Sequence, residues 1–131
     1  GDLLPLIYHG KEGGLPECVA RYVFRRILEN LKYLKSRGVV HRDVSSENIM
    51  FDDEGRCLFI DMGMAQRVPA GMEGKTRAIM APAMRCGKYP YMAPEIYASD
   101  PTYDGYGVDL WSSAVVLYSM LTGENKASME D

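Results

Sequence analysis

Asp43, Asn48 and Asp61 are the residues of this chain with the clearest capacity for chemistry. The first two lie five positions apart in His41-Arg42-Asp43-Val44-Ser45-Ser46-Glu47-Asn48. Asp61-Met62-Gly63 comes eighteen positions after Asp43, and Ala93-Pro94-Glu95 follows later. Two carboxylates and an amide present oxygen donors, which suit a hard divalent cation held through few protein groups. A carboxylate can also orient a hydroxyl and take its proton, an effect worth about 10²–10⁴-fold in rate. Phosphoryl transfer needs both jobs, because it asks a protein for positioning and charge neutralisation and for little covalent work. Singly, each residue is better explained as turn chemistry, since Asp and Asn readily bond their own backbone.

The elements around these residues can be read from periodicity. Val19, Val23, Ile27, Leu31 and Leu34 recur at helical spacing, with Ala20, Phe24 and Leu28 alongside, which predicts an amphipathic helix. Leu15-Pro16-Glu17 forms its start and Gly38 its stop. Val39-Val40 is a short extended piece before His41. Ile49-Met50-Phe51 and Cys57-Leu58-Phe59-Ile60 predict two small strands around the turn Asp52-Asp53-Glu54-Gly55. That turn lacks the residue order of a calcium loop and reads as a solvated hairpin tip. Met62 through Met92 has no sustained period and is expected to be a long irregular loop. Gly107 to Leu121 is apolar on almost every side, which predicts a helix buried all round. The expected fold class is mainly α with a short β-hairpin.

Together and in this order, H-R-D-x-x-x-x-N, D-x-G and A-P-E resemble the signature of the eukaryotic-type protein kinases. The resemblance runs over nearly the whole of residues 1–131 and implies part of a kinase large lobe (α+β), from after the hinge through the central helix. It implies ATP and Mg²⁺ as cofactors and a protein substrate. By resemblance, Asp43 is the catalytic base, and Asn48 and Asp61 hold the magnesium of the nucleotide. His41 would pack structurally. Arg42 would pair with a phosphate on the following loop, for which Thr76, flanked by Lys75 and Arg77, is the candidate; an ordinary exposed loop threonine is the alternative. Glu95 would anchor that loop through an arginine beyond this chain. Asp109, in Val108-Asp109-Leu110-Trp111-Ser112, would bond the catalytic-loop backbone, or serve simply as an N-terminal helix carboxylate.

The chain also departs from the pattern. Most Ser/Thr-directed members carry Lys where Ser45 stands, and Thr where Lys88 follows Gly87. The basic residue has moved from one loop to the other, and Lys88 is expected to supply the catalytic charge that Ser45 cannot. The alternative is a surface lysine beside a degraded catalytic loop. Met62 replaces Phe, and Ala114 replaces Gly in the central helix. Ser46-Glu47 and Pro90-Tyr91-Met92-Ala93-Pro94-Glu95 resemble the Ser/Thr type more than the tyrosine type. The expected function is therefore a Ser/Thr protein kinase. A pseudokinase or truncated scaffold that binds partners without catalysis is the alternative, and a small-molecule phosphotransferase of related fold is a third reading.

At 131 residues the chain is one domain or part of one. A formal net charge of −3 with no polybasic face offers nothing for nucleic acid or an anionic membrane. No apolar run reaches the roughly 18 residues of a membrane span. Cys18, Cys57 and Cys86 are odd in number and lack metal-like spacing, so an intracellular, cytoplasmic setting is expected. The first residue is Gly1, and the Gly-rich loop and strand lysine of the family are absent. These features lead to the expectation of a fragment without activity by itself. The oligomeric state is not legible.

Overall fold

A computed structural model gives the architecture, described here for residues 13–81 and 87–124. The first described helix, α1 (Glu17–Ser36), follows Pro16 and ends where Gly38 takes the left-handed conformation at φ +66°. Strand β1 (Val39–Val40) leads to a loop and the short 3-10 turn Ser46–Asn48. Strands β2 (Ile49–Phe51) and β3 (Cys57–Phe59) pair antiparallel, with Ile49 opposite Phe59 and Phe51 opposite Cys57. This is the hairpin expected from the sequence. Its tip is held by Asp52, whose Oδ1 accepts from the Glu54 and Arg56 amides at 3.0 and 2.8 Å.

The segment from Met62 onward is more ordered than its lack of period suggests. It contains a 3-10 turn (Met62–Met64), β4 (Gln66–Arg67), β5 (Ile79–Met80) and a second 3-10 turn (Tyr89–Tyr91). Strand β4 pairs with β1, and β5 pairs with β6 (Tyr103–Asp104). Two-residue strands carry no detectable alternation, so only their distant partners reveal them. Residues 82–86, with Cys86, lie outside the described residues, as do the apolar segment near the start and the polar tail. A single-turn helix, α2 (Pro94–Tyr97), carries Glu95.

The last described helix, α3 (Gly105–Thr122), starts two residues before the position expected. Asp104 caps it, its carboxylate accepting from the Tyr106 amide at 3.2 Å. Gly105 is required there, because a Cβ would sit 2.4 Å from Met80 Sδ and 2.7 Å from Val40 Cγ2. Helices α1 and α3 run antiparallel: the Leu15 amide, just before α1, bonds the Met120 carbonyl at 2.7 Å, near the end of α3.

Between them lies a core of Ala20, Val23, Ile27, Ile49, Val116 and Met120. Burying each large apolar side chain is worth roughly 1.5–3 kcal/mol. A second core joins Val40, Val68, Met80, Ile96, Tyr103 and Val108 under β1 and α2. Helix α3 is not buried all round. Leu110, Trp111, Tyr118 and Leu121 remain exposed on it, so its all-round apolar character overstates what the described elements cover. None of the described helices is long and apolar enough to cross a membrane.

Candidate active site

The loop between β1 and β2 is built around a buried imidazole. His41 is fully buried, and its ring packs edge-on against Phe59 with centroids 5.6 Å apart. The Asp43 amide donates to His41 Nδ1 at 3.1 Å, so Nδ1 must be an acceptor and Nε2 carries the proton. Nε2 then donates to the Ile60 carbonyl at 3.2 Å. Burial pushes the His41 pKa down, opposed by the Ile60 carbonyl bond and by the charges of Asp43 and Asp61.

Asp109 supports the same loop from α3. Its Oδ2 and Oδ1 accept from the backbone amides of His41 and Arg42 at 2.8 and 2.9 Å. Burial pushes its pKa up to about 6, with these two amide bonds working against the rise. Arg42 is held at φ +68°, a conformation that costs a non-glycine residue roughly 1–2 kcal/mol. Its guanidinium reaches Gln66 of β4.

Asn48 binds Asp43 twice. Its Nδ2 donates to the Asp43 carbonyl at 2.8 Å and to Asp43 Oδ2 at 3.0 Å. Two acceptors on one side demand the amino group there, which leaves Asn48 Oδ1 to face elsewhere as an acceptor. The Ile60 amide donates to the Asn48 carbonyl at 2.9 Å, so the residue before Asp61 is bonded to both Asn48 and His41. Asp61 itself is exposed, at φ +57°, with Oδ1 accepting from the Gly63 amide at 3.2 Å. Asp tolerates this left-handed conformation better than most residues.

Lys88 closes the group. Its Nζ donates to Asp43 Oδ1 at 3.2 Å, Asp43 Oδ2 at 3.4 Å and Ser45 Oγ at 3.2 Å, and lies 3.8 Å from Glu47 Oε2. The preceding Gly87 has φ +85°, and a Cβ there would sit 3.0 Å from the Arg42 carbonyl. Lys88 approaches this closely because a glycine lets the chain press against the loop at Arg42 and Asp43.

The remaining candidates stand outside this cluster. Thr76 is exposed and lines a cavity of about 460 Å³ with Lys35, Tyr106 and Leu110 between α1 and α3. Glu95 lies on α2. Among the described residues, neither hydrogen-bonds to Asp43, Asn48 or Lys88.

The donor set suits a hard cation carried by phosphates. It offers the Asn48 amide oxygen and the exposed Asp61 carboxylate, all oxygen, and no described group of three or more His, Cys, Asp or Glu that could bind a metal alone. The model of the protein kinase domain matches residues 1–131. The chain belongs to the protein kinase domain family. It is 39% identical over 114 residues to sperm motility kinase 3A of Mus musculus, covering 87% of this chain and 21% of that protein. It is 38% identical over 123 residues to the serine/threonine-protein kinase CHK1 of Mycosarcoma maydis, covering 94% of this chain and 17% of that protein. CBL-interacting serine/threonine-protein kinase 16 of Arabidopsis thaliana is 37% identical over 126 residues, with 94% and 26% covered. The chain therefore spans between about a sixth and a quarter of these relatives.

Within this kinase fold, sequence reasoning missed Ser46, Tyr91 and Ser112, a string of buried hydroxyls beneath the Lys88 turn. Only adjacency to a motif could have flagged Ser46. Nothing in the spacing of Tyr91 and Ser112 announces a contact with it. Glu47, the second carboxylate near Lys88, was read only as a marker of substrate type.

Proposed function

We propose that this chain is the catalytic-loop part of a serine/threonine protein kinase, with Asp43 as the base and Lys88 as the charged group beside it. The observation that carries this reading is the contact of Lys88 Nζ with both Asp43 and Ser45. The ammonium that the family usually places at position 45 reaches the same spot from position 88.

Asp43 orients the attacking Ser or Thr hydroxyl and accepts its proton. Asn48 holds the Asp43 carboxylate in place through Nδ2, which leaves its Oδ1 as an acceptor. Asn48 and Asp61 would hold the Mg²⁺ of ATP, which supplies the transferable phosphoryl group and neutralises charge on it. Lys88 adds positive charge where negative charge builds up on the transferring group, an effect that is strong in a site shielded from water. Arg42 and Thr76 are proposed as a regulatory pair and Glu95 as a loop anchor. The substrate is a protein presenting Ser or Thr.

The test is phosphorylation of a Ser/Thr peptide library by the full-length protein with Mg²⁺ and ATP. Transfer that disappears in Asp43→Asn supports the reading. Nucleotide binding without transfer by the wild-type protein would replace it with a non-catalytic role.

A further inference from the structure

Ser45 and Ser46 are both essentially fully buried, and buried hydroxyls need partners. Ser45 Oγ receives the Lys88 ammonium at 3.2 Å. Ser46 Oγ receives the phenol O–H of Tyr91 at 3.3 Å. Tyr91 is fixed in two further ways: its amide donates to the Lys88 carbonyl at 3.0 Å, and its carbonyl accepts from Ser112 Oγ at 2.7 Å. Neighbouring serines therefore grip two points of one short turn, its lysine head and its tyrosine ring.

We propose that Tyr91 is a positioning residue whose phenol, seated on Ser46, keeps the Lys88 ammonium on Asp43. Only its kinetic consequence rests on the phosphotransfer reading above. Lys88 sits on a flexible four-carbon stem and has a competing acceptor, because Glu47 Oε2 is 3.8 Å from Nζ and its side chain is 38% exposed. A turn free to shift would let the ammonium settle on Glu47 and leave Asp43 without its partner. Ser112 holds the turn from the α3 side but bonds only the Tyr91 backbone, so the phenol adds a second tie to the loop that carries Asp43, independent of the bonds Lys88 itself makes there.

The experiment uses the full-length protein with Tyr91→Phe, Ser46→Ala, Lys88→Met and the double variant Tyr91→Phe/Lys88→Met. Two quantities are read: the steady-state kinetics of peptide phosphorylation, and the acetylation rate of the Lys88 amine, followed by mass spectrometry. Tyr91→Phe and Ser46→Ala should each lower kcat by about 3- to 10-fold, with KM for ATP and peptide within about 2-fold. Both should speed Lys88 acetylation. In the Lys88→Met background, Tyr91→Phe should cost nothing more, since coupled residues are not additive. Unchanged acetylation in both variants overturns the proposal, as does a Tyr91→Phe loss of equal size with and without Lys88. A wild-type protein that phosphorylates no peptide removes the phosphotransfer reading, and the acetylation rates then decide the anchor by themselves.

Discussion

Lys88 Nζ lies 3.2 Å from Asp43 Oδ1, forty-five positions upstream. With the Lys88 side chain one-third exposed and that of Asp43 13% exposed, the pair is shielded but not sealed from solvent. Lys88→Met is expected to lower kcat by about 10²-fold, the scale seen when a preorganised charge or donor is removed. Restoring charge from the other loop, in Ser45→Lys combined with Lys88→Thr, should recover much of the loss. Steady-state kinetics on the three proteins check this, and a Lys88→Met enzyme with wild-type turnover would refute it.

Asp43→Asn removes the proposed proton acceptor while keeping the shape of the side chain. The expected loss is about 10²–10⁴-fold in kcat, with little change in nucleotide affinity because Asn48 and Asp61 are intact. Titration with a fluorescent ATP analogue alongside the kinetic assay separates the two effects.

Asp109→Ala strands the buried amides of His41 and Arg42, which Asp109 now accepts at 2.8 and 2.9 Å. Each unsatisfied group costs about 1–3 kcal/mol, so a clear drop in melting temperature should accompany loss of activity. Asp109→Asn can satisfy only one of the two amides and should fall between wild type and Asp109→Ala. Equal melting temperatures for wild type and Asp109→Ala would count against this account.

The pH dependence of His41 has a definite sign. Its folded pKa lies below the ordinary 6.5 because of burial, so the unfolded chain takes up a proton first as pH falls. The stability it contributes is full above about pH 6.5 and is lost on acidification. Asp109 works in the opposite sense: its raised pKa of about 6 makes its contribution greatest in acid and lost as pH rises through that value. His41→Leu keeps Asp109 in place, so the stability gap between wild type and this variant should narrow from pH 7 to pH 5. Thermal melts at both pH values check it; a constant gap would mean that His41 does not titrate in this window.

Gly87→Ala brings a methyl group to 3.0 Å from the Arg42 carbonyl at a backbone φ of +85°. Left-handed backbone costs a residue with a Cβ roughly 1–2 kcal/mol, and the turn must move to relieve the contact. Turnover should fall further than stability, because the displacement is applied directly beside Lys88. Comparing kcat with the melting temperature of the variant tests this.

Much of the site was legible because it is local. Asp43 and Asn48 lie within one loop, and the resemblance to the kinase signature implied that they serve one site; the structure shows them bonded. The hairpin and both long helices were equally readable, since each repeats its pattern over several residues. What escaped were pairings between distant short pieces: β1 with β4, β5 with β6, and the Tyr91 phenol with Ser46. A two-residue strand has no period, and a single tyrosine does not name its partner. The apolar character of α3 was read correctly but over-extended, because hydrophobicity says that a face should be covered and not by which element.

His41 engages both nitrogens of one ring, Nδ1 with the Asp43 amide and Nε2 with the carbonyl of the residue preceding Asp61. The imidazole is therefore a rigid strut of fixed length between the segments that carry the two carboxylates. The link is made within the folded chain itself, and in the proposed phosphotransfer role it would lessen what must be reorganised around the two carboxylates. Under that proposal, binding energy would be left for aligning the substrate hydroxyl.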